Sequence, residues 1–396
     1  MKILLLENIH PIAKETLESQ GFIVELHKPS YGEDELKKML KDFHVVGIRS
    51  KTQMTASVIA DNPHLLAIGC FCIGTNQVNL EMAREAGIPV FNAPYSNTRS
   101  VAELVLCEIV ALSRKLSDLS AQVHQGHWEK SAANSYEVRG KTLGIVGYGH
   151  IGSQVSILAE AFGMKVVYYD IIKKLPLGNS VACSSLDELL SESDFVTLHV
   201  PETEETKNMI TAKELSKMKV GSYLLNLSRG TVVDIPALAE SLKSGHLKGA
   251  AVDVYPSEPK GNSGGFQSPL QTCPNVILTP HVGGSTQEAQ KSIGLEVADT
   301  LTSYILSGQT LGAVGFPNIQ PSTEIRGNRL LNIHQNVPGV LGDINSIVSA
   351  AGINIHSQFL ATDEKIGYLI MDIEKGHQEA FDKISKLKTS IKTRLL

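Results

Sequence analysis

The sequence predicts an α/β protein: two successive doubly wound parallel-sheet systems, then a small βαββαβ unit. Three observations carry that expectation. Short apolar runs alternate with helical patterns from residue 2 to about residue 305. A glycine-rich turn, Gly147-Tyr-Gly149-His-Ile-Gly152, lies between one such run and one such helix. Beyond a Gly, Pro, Ser, Thr and Asn-rich stretch at 307–328, the pattern restarts with apolar runs around two amphipathic segments.

Taken in order, Lys2–Leu6, Ile23–Leu26, Val45–Ile48 and Leu66–Gly69 read as buried strands, with helices near Ile12–Ser19, Glu33–Lys41 and Asn79–Ala86. A longer helix is expected to open at the capping box Ser100-x-x-Glu103, with Val101, Leu104, Val105, Ile109 and Leu112 on its core face. After a polar stretch from Val123 to Arg139, a second series begins at Leu143. It continues through strands near 165–169, 195–200, 223–227, 249–254 and 276–279. Another capping box, Ser285-x-x-Glu288, starts a helix striped with Ile293, Val297 and Leu301 that leads back to the first lobe. The stretch 307–328 reads as a linker. Strands at Leu330–His334, Asn354–Thr362, Ile366–Ile373 and Ile391–Leu395, with helices near Gly339–Ala350 and Gln378–Leu387, complete the third unit.

Composition narrows the function. Lys plus Arg number 36 against 41 Asp plus Glu, a formal charge of −5, which lacks the basic excess that nucleic acid or an anionic membrane surface rewards. Hydrophobic residues at 42% supply cores and argue against disorder. The apolar run before Glu7 is too short for a secretion signal, and none approaches the ~20 residues that cross a bilayer, so the expected location is the cytoplasm. Cys70, Cys72, Cys107, Cys183 and Cys273 form neither a disulfide framework nor a metal spacing, and no metal is expected.

Gly147-Tyr-Gly149-His150-Ile151-Gly152 follows the apolar run Leu143–Val146 and enters a helix with Ile151, Val155, Leu158 and Phe162 on one stripe. In that context it is a Rossmann fingerprint. Gly147 makes the turn, Gly149 lets backbone approach a pyrophosphate, and Gly152 lets helix and strand pack. The helix N-terminus adds free N–H donors. Asp170, at the end of the next strand, stands where an acid accepts hydrogen bonds from the adenosine ribose and repels a 2′-phosphate, which predicts NAD over NADP.

Three later segments put polar residues after apolar strands, where open α/β sheets bind ligands. Arg229, in Asn-Leu-Ser-Arg-Gly, can grip a substrate carboxylate through both guanidinium nitrogens. His281, in Pro-His-Val-Gly-Gly, can exchange a proton with a hydroxyl near neutral pH. Glu258, in Asp-Val-Tyr-Pro-Ser-Glu-Pro, can bond the other ring nitrogen and stabilise the imidazolium. These are the requirements of reversible hydride transfer to a 2-keto acid.

Gly-Tyr-Gly-His-Ile-Gly, Asn-Leu-Ser-Arg-Gly-Thr-Val-Val-Asp and Thr-Pro-His-Val-Gly-Gly-Ser-Thr, in this order, resemble the D-isomer-specific 2-hydroxyacid dehydrogenases. Within that family, residues 68–78 and 91–103 are similar to the bacterial members that oxidise 3-phosphoglycerate to 3-phosphohydroxypyruvate at the start of L-serine synthesis. The C-terminal unit resembles an ACT regulatory domain. The resemblance implies a substrate-binding domain at 1–96 plus 286–320, an NAD-binding domain at 97–285 and a regulatory domain at 321–396. It implies catalysis by Arg229, Glu258 and His281. The NAD site would comprise the fingerprint residues with Asp170, Leu227, Ser228, Arg229 and Asp253, together with His281, Val282, Gly283 and Gly284. Arg49, Lys51, Gly74 and Asn97 would hold the substrate, and Lys130, near Trp128, would reach a neighbouring subunit's site.

The resemblance further implies a homotetramer inhibited by L-serine bound at His334, Asn336 and Asn354. Two departures stand out. Lysine occupies position 51 where the family pattern has arginine, so phosphate would meet a point charge without a fork. The paired-glycine hinge before the terminal unit is reduced to Arg326-Gly327-Asn328. Two other functions fit the same motifs: a dehydrogenase of another D-2-hydroxy acid, and a nicotinamide-sensing corepressor-like protein.

Overall fold

A computed structural model describes residues 1–259, 264–322, 324–374 and 378–396. The chain forms two compact units, Met1–Ser96 with Gln290–Leu396, and Asn97–Ala289.

In the first unit, parallel strands Ala67–Cys70, Val45–Ile48, Lys2–Leu5 and Ile23–Leu26 lie side by side in that order. Every residue of Val45–Ile48 and Ala67–Cys70 is buried, as expected for strands covered on both faces. Beyond Ala67–Cys70 the sheet continues through Val90–Asn92, and Ala313–Val314 pairs antiparallel at its edge. The stretch expected as a linker is therefore partly sheet. Thr310 is buried within it: its N–H donates to the Ile319 carbonyl, and its hydroxyl receives the Ile319 N–H and donates to the Pro317 carbonyl. Local sequence could not show this, because a two-residue strand has no period to read.

The C-terminal sheet has the expected βαββαβ order and runs Ile355–Thr362, Ile366–Ile373, Asn328–Gln335 and Ser390–Leu395, antiparallel throughout. This sheet falls within the first compact unit. Leu331, Ile333, Ile366, Tyr368 and Ile370 share one apolar core with Leu301, Tyr304, Ile305 and Phe316. Arg329 is fully buried; its Nε and second terminal nitrogen donate to the two Asp372 oxygens at 2.6 and 2.8 Å, and its remaining nitrogen donates to the Ser307 carbonyl. Of the expected hinge, Gly327 has φ +86°, and a Cβ on it would lie 2.0 Å from the Ile373 carbonyl oxygen. Asn328 is already in the strand ladder.

The second unit holds a seven-stranded parallel sheet ordered Val276–Leu278, Leu247–Val252, Ser222–Asn226, Phe195–Leu198, Thr142–Val146, Lys165–Tyr169 and Val181–Ala182. The strands end earlier than the apolar runs suggested, at Leu198, Asn226, Val252 and Leu278. Residues 199, 227–229, 253 and 279–281 consequently stand in loops beyond the carboxyl ends.

Both expected capping boxes are replaced. The first long helix runs Thr98–Arg114 with Asn97 at its N-cap, and Glu103 pairs with Arg99. The second runs Gln287–Ser307, and the Thr286 hydroxyl receives the Ala289 N–H. The Ser100 hydroxyl, expected to cap the first helix, instead bonds the Thr286 hydroxyl at 2.7 Å.

Candidate active site

The fingerprint forms as its spacing requires. Gly147 has φ +91°, and a Cβ there would sit 2.6 Å from the His199 carbonyl oxygen; one on Gly152 would sit 2.3 Å from the Gly147 carbonyl oxygen. A Cβ on Gly149 would meet nothing within 4 Å. This glycine caps the helix His150–Ala161 with no side-chain bond, which sets the helix N-terminus, the kind of end that suits a pyrophosphate, at the glycine turn. Asp170 receives the Tyr148 and Ile172 N–H groups, both at 2.9 Å. It braces the glycine turn, and each carboxylate oxygen retains a lone pair for a ribose hydroxyl.

Asn226 organises the next loop. Fully buried, it receives the Ser228 N–H and hydroxyl and donates to the Arg229 carbonyl at 3.0 Å. The Arg229 guanidinium donates to the Ser228 carbonyl at 2.7 Å, and among the described residues it enters no ion pair. Gly230 lets this loop lie against the loop that carries Glu258, since a Cβ would fall 2.0 Å from the Tyr255 carbonyl carbon. Leu227 and Ser228 are buried behind the loop.

Nδ1 of His281 lies 3.0 and 2.9 Å from the two Glu258 oxygens. The bond to Glu258 raises the His281 pKa above its usual value despite partial burial. Burial alone would raise Glu258, but the bonds from His281 and the Tyr255 N–H, with the charges of His281 and Arg229, hold its pKa below the usual value. His281 has φ +55°, a conformation that costs a non-glycine residue about 1–3 kcal/mol unless its surroundings impose it. Asp253 imposes it. Its carbonyl takes the His281 N–H, and its carboxylate takes the Thr279 hydroxyl at 2.6 Å and the Val282 and Gly283 N–H groups at 2.8 Å. Asp253 thus fixes the turn 279–283. Asn97 abuts Gly284, where a Cβ would lie 2.3 Å from its amide nitrogen, and the buried Asn97 Oδ1 has no partner among the described residues.

Two buried groups escaped sequence reading. His199, just past Phe195–Leu198, bonds the Thr197 hydroxyl at 3.0 Å, and burial drives its pKa down to about 3. Glu108, on Thr98–Arg114, is 2% exposed and neither carboxyl oxygen has a partner among the described residues; burial, helped by the Asp253 charge, raises its pKa to about 8. Their positions, one masked inside an apolar run and one inside a helical stripe, gave no local signal.

The sequence comparisons decide the family. The family described as D-isomer specific 2-hydroxyacid dehydrogenase, NAD binding domain, matches residues 106–283. A D-3-phosphoglycerate dehydrogenase of Dictyostelium discoideum is 56% identical over 397 residues, covering 100% of this chain and 97% of its own. Its counterpart in Escherichia coli K12 is 52% identical over 400 residues with the same coverage. The chain belongs to the D-isomer-specific 2-hydroxyacid dehydrogenases.

This dehydrogenase is NAD-dependent. Among solved structures, a D-lactate dehydrogenase from Aquifex aeolicus complexed with NAD and lactic acid is similar, with 30% identity, a TM-score of 0.66, and coverage of 76% of this chain and 95% of that one. D-2-hydroxyisocaproate dehydrogenase gives a TM-score of 0.72 at 26% identity, covering 80% and 100%. The C-terminal sheet carries an ACT domain, described as AHAS small subunit-like, over residues 330–392.

In the first unit of the dehydrogenase, Arg49 and Lys51 follow the strand Val45–Ile48, and their side chains make no hydrogen bond or ion pair among the described residues. Gly74 accepts from Cys72 and Gln77. Lys130 and Trp128 lie on an exposed segment without regular structure, Trp128 84% exposed. His334 and Asn336 line a cavity of about 170 Å³ with Gly339, Val340, Leu360 and Thr362. The structure does not bring Asn354 to them: it precedes the opposite end of the strand that supplies Leu360 and Thr362. None of the five cysteines forms a disulfide, and among the described residues no cluster could hold a metal and no helix is long and apolar enough to cross a membrane.

Proposed function

We propose that this dehydrogenase oxidises the C2 hydroxyl of D-3-phosphoglycerate to give 3-phosphohydroxypyruvate. The observation that carries this reading is identity above 50% over the full chain to D-3-phosphoglycerate dehydrogenases, together with two unengaged cations at Arg49 and Lys51.

Bound NAD supplies the hydride acceptor, held at its pyrophosphate by the 147–152 turn and at its ribose by Asp170. Arg229 grips the substrate carboxylate and polarises C2, leaving its hydroxyl toward His281. Neutral His281 takes the hydroxyl proton at Nε2 while Nδ1–H stays on Glu258, and the growing imidazolium charge is met by that carboxylate. In the reverse direction the protonated ring returns the proton. Arg49 and Lys51 neutralise the phosphate.

This reaction feeds L-serine synthesis in the cytoplasm, and L-serine inhibits it by binding at His334 and Asn336. Asn354 contributes from a second copy, within a homotetramer. Amide and imidazole groups suit the carboxylate, ammonium and hydroxyl of the ligand. The test is NADH oxidation by the purified enzyme with phosphohydroxypyruvate, pyruvate or glyoxylate, each with and without millimolar L-serine. A preference for phosphohydroxypyruvate, lost in Arg49→Ala, is expected; equal turnover of the unphosphorylated acids defeats the substrate assignment.

A further inference from the structure

Glu7 lies at the end of the first strand, on a residue with φ +62°, and is followed by Asn8 with φ +54°. Its carboxylate is buried and turned beneath the loop that carries Arg49 and Lys51. One oxygen receives the Arg49 N–H at 3.1 Å and the Thr52 N–H at 2.8 Å; the other receives the Lys51 N–H at 2.9 Å. From the opposite side, Gln77 donates to the Arg49 carbonyl at 2.7 Å. A charged acceptor serving three backbone donors is a strong local constraint, and here all three lie in one short loop, residues 49–52. Neither side-chain cation pairs with the carboxylate, so Glu7 spends its charge on the backbone and leaves both cations unengaged.

We infer that Glu7 is a positioning residue for substrate recognition: by clamping the Arg49–Thr52 backbone it aims Arg49 and Lys51 at the substrate's phosphate. This rests on the phosphate role given above to those two residues. A glutamine at position 7 has one acceptor oxygen and an amide that faces donors, so at least one of the three N–H groups loses its partner. Phosphate affinity then falls, because the cations must be ordered at the moment of binding.

The experiment measures kcat and KM for phosphohydroxypyruvate reduction in Glu7→Gln, Lys51→Ala, Arg49→Ala and the double variant Glu7→Gln/Lys51→Ala, with NADH affinity as the folding control. Gln77→Ala, which releases the same loop at the Arg49 carbonyl, is the second route should Glu7→Gln fail to fold. The expected result is a KM raised about tenfold in Glu7→Gln with kcat changed far less, NADH affinity retained, and a KM penalty in the double variant well below the product of the single ones. Gln77→Ala moves KM in the same direction by less. A wild-type KM in Glu7→Gln, or full multiplicativity with Lys51→Ala, overturns the positioning role. A wild-type KM in both Arg49→Ala and Lys51→Ala instead overturns the phosphate assignment beneath it.

Discussion

His281 and Glu258 form a two-oxygen contact, with the imidazole Nδ1 3.0 and 2.9 Å from the two carboxylate oxygens. In the proposed mechanism the pair sets the working pH. Its bond to Glu258 raises the His281 pKa above 6.5, so oxidation, which needs the neutral ring, gains rate as pH rises through that higher value. Reduction, which needs the charged ring, declines over the same interval. In Glu258→Gln both limbs of the kcat/KM profiles move to lower pH and the maximal rate falls by about tenfold or more. The contribution of this pair to stability is bounded on both sides: it is lost as pH rises through the raised His281 pKa and as pH falls through the lowered Glu258 pKa.

Asp170 braces the glycine turn through the Tyr148 N–H, and in the proposed function it also offers a negative charge to the ribose. Asp170→Ala is expected to weaken NADH binding about tenfold or more and to narrow the preference over NADPH, since the repulsion of a 2′-phosphate disappears. Steady-state KM values for the two coenzymes give the ratio. An unchanged ratio removes Asp170 from coenzyme selection.

Glu108 stores a pH-dependent cost. Its folded pKa of about 8, against 4.5 for the exposed group, means that the folded state holds a proton that the unfolded chain has released. Stability therefore falls as pH climbs from about 4.5 to about 8, by an amount that can reach a few kcal/mol. Glu108→Gln removes that slope. Melting temperatures measured from pH 6 to pH 9 should fall for the wild type and stay flatter for the variant.

Asp372 and Arg329 form a buried two-pronged pair, and Ser357 adds a third bond to the carboxylate at 3.0 Å. Asp372→Ala strands a guanidinium inside the core and is expected to cost about 3–5 kcal/mol. Chemical denaturation monitored by circular dichroism is the check. Arg329→Met/Asp372→Leu, which removes both charges, should recover most of the loss.

Much of this protein was legible in its residues. Apolar runs at Val45–Ile48 and Leu143–Val146 are buried on both faces, so their composition alone declares them strands. The glycines at 147 and 152 declare a tight strand-to-helix turn, because a Cβ at either would strike backbone oxygen. Arg229, Glu258 and His281 were selected by chemical type and by their place after strands, information that is local. Strand ends were less legible, since Val200, Leu227 and Val254 extend the apolar runs past the points where ladder pairing stops.

Only the folded chain decides relationships between distant segments. Ser100 meets Thr286, 186 residues further along, Glu7 meets a loop more than 40 residues away, and Arg329 finds Asp372 and Ser307. Local sequence records propensity and chemical type, which depend on near neighbours. The partner of a carboxylate or a hydroxyl depends on which segments packing brings within 3 Å, and a buried polar group accepts whichever partner the core delivers.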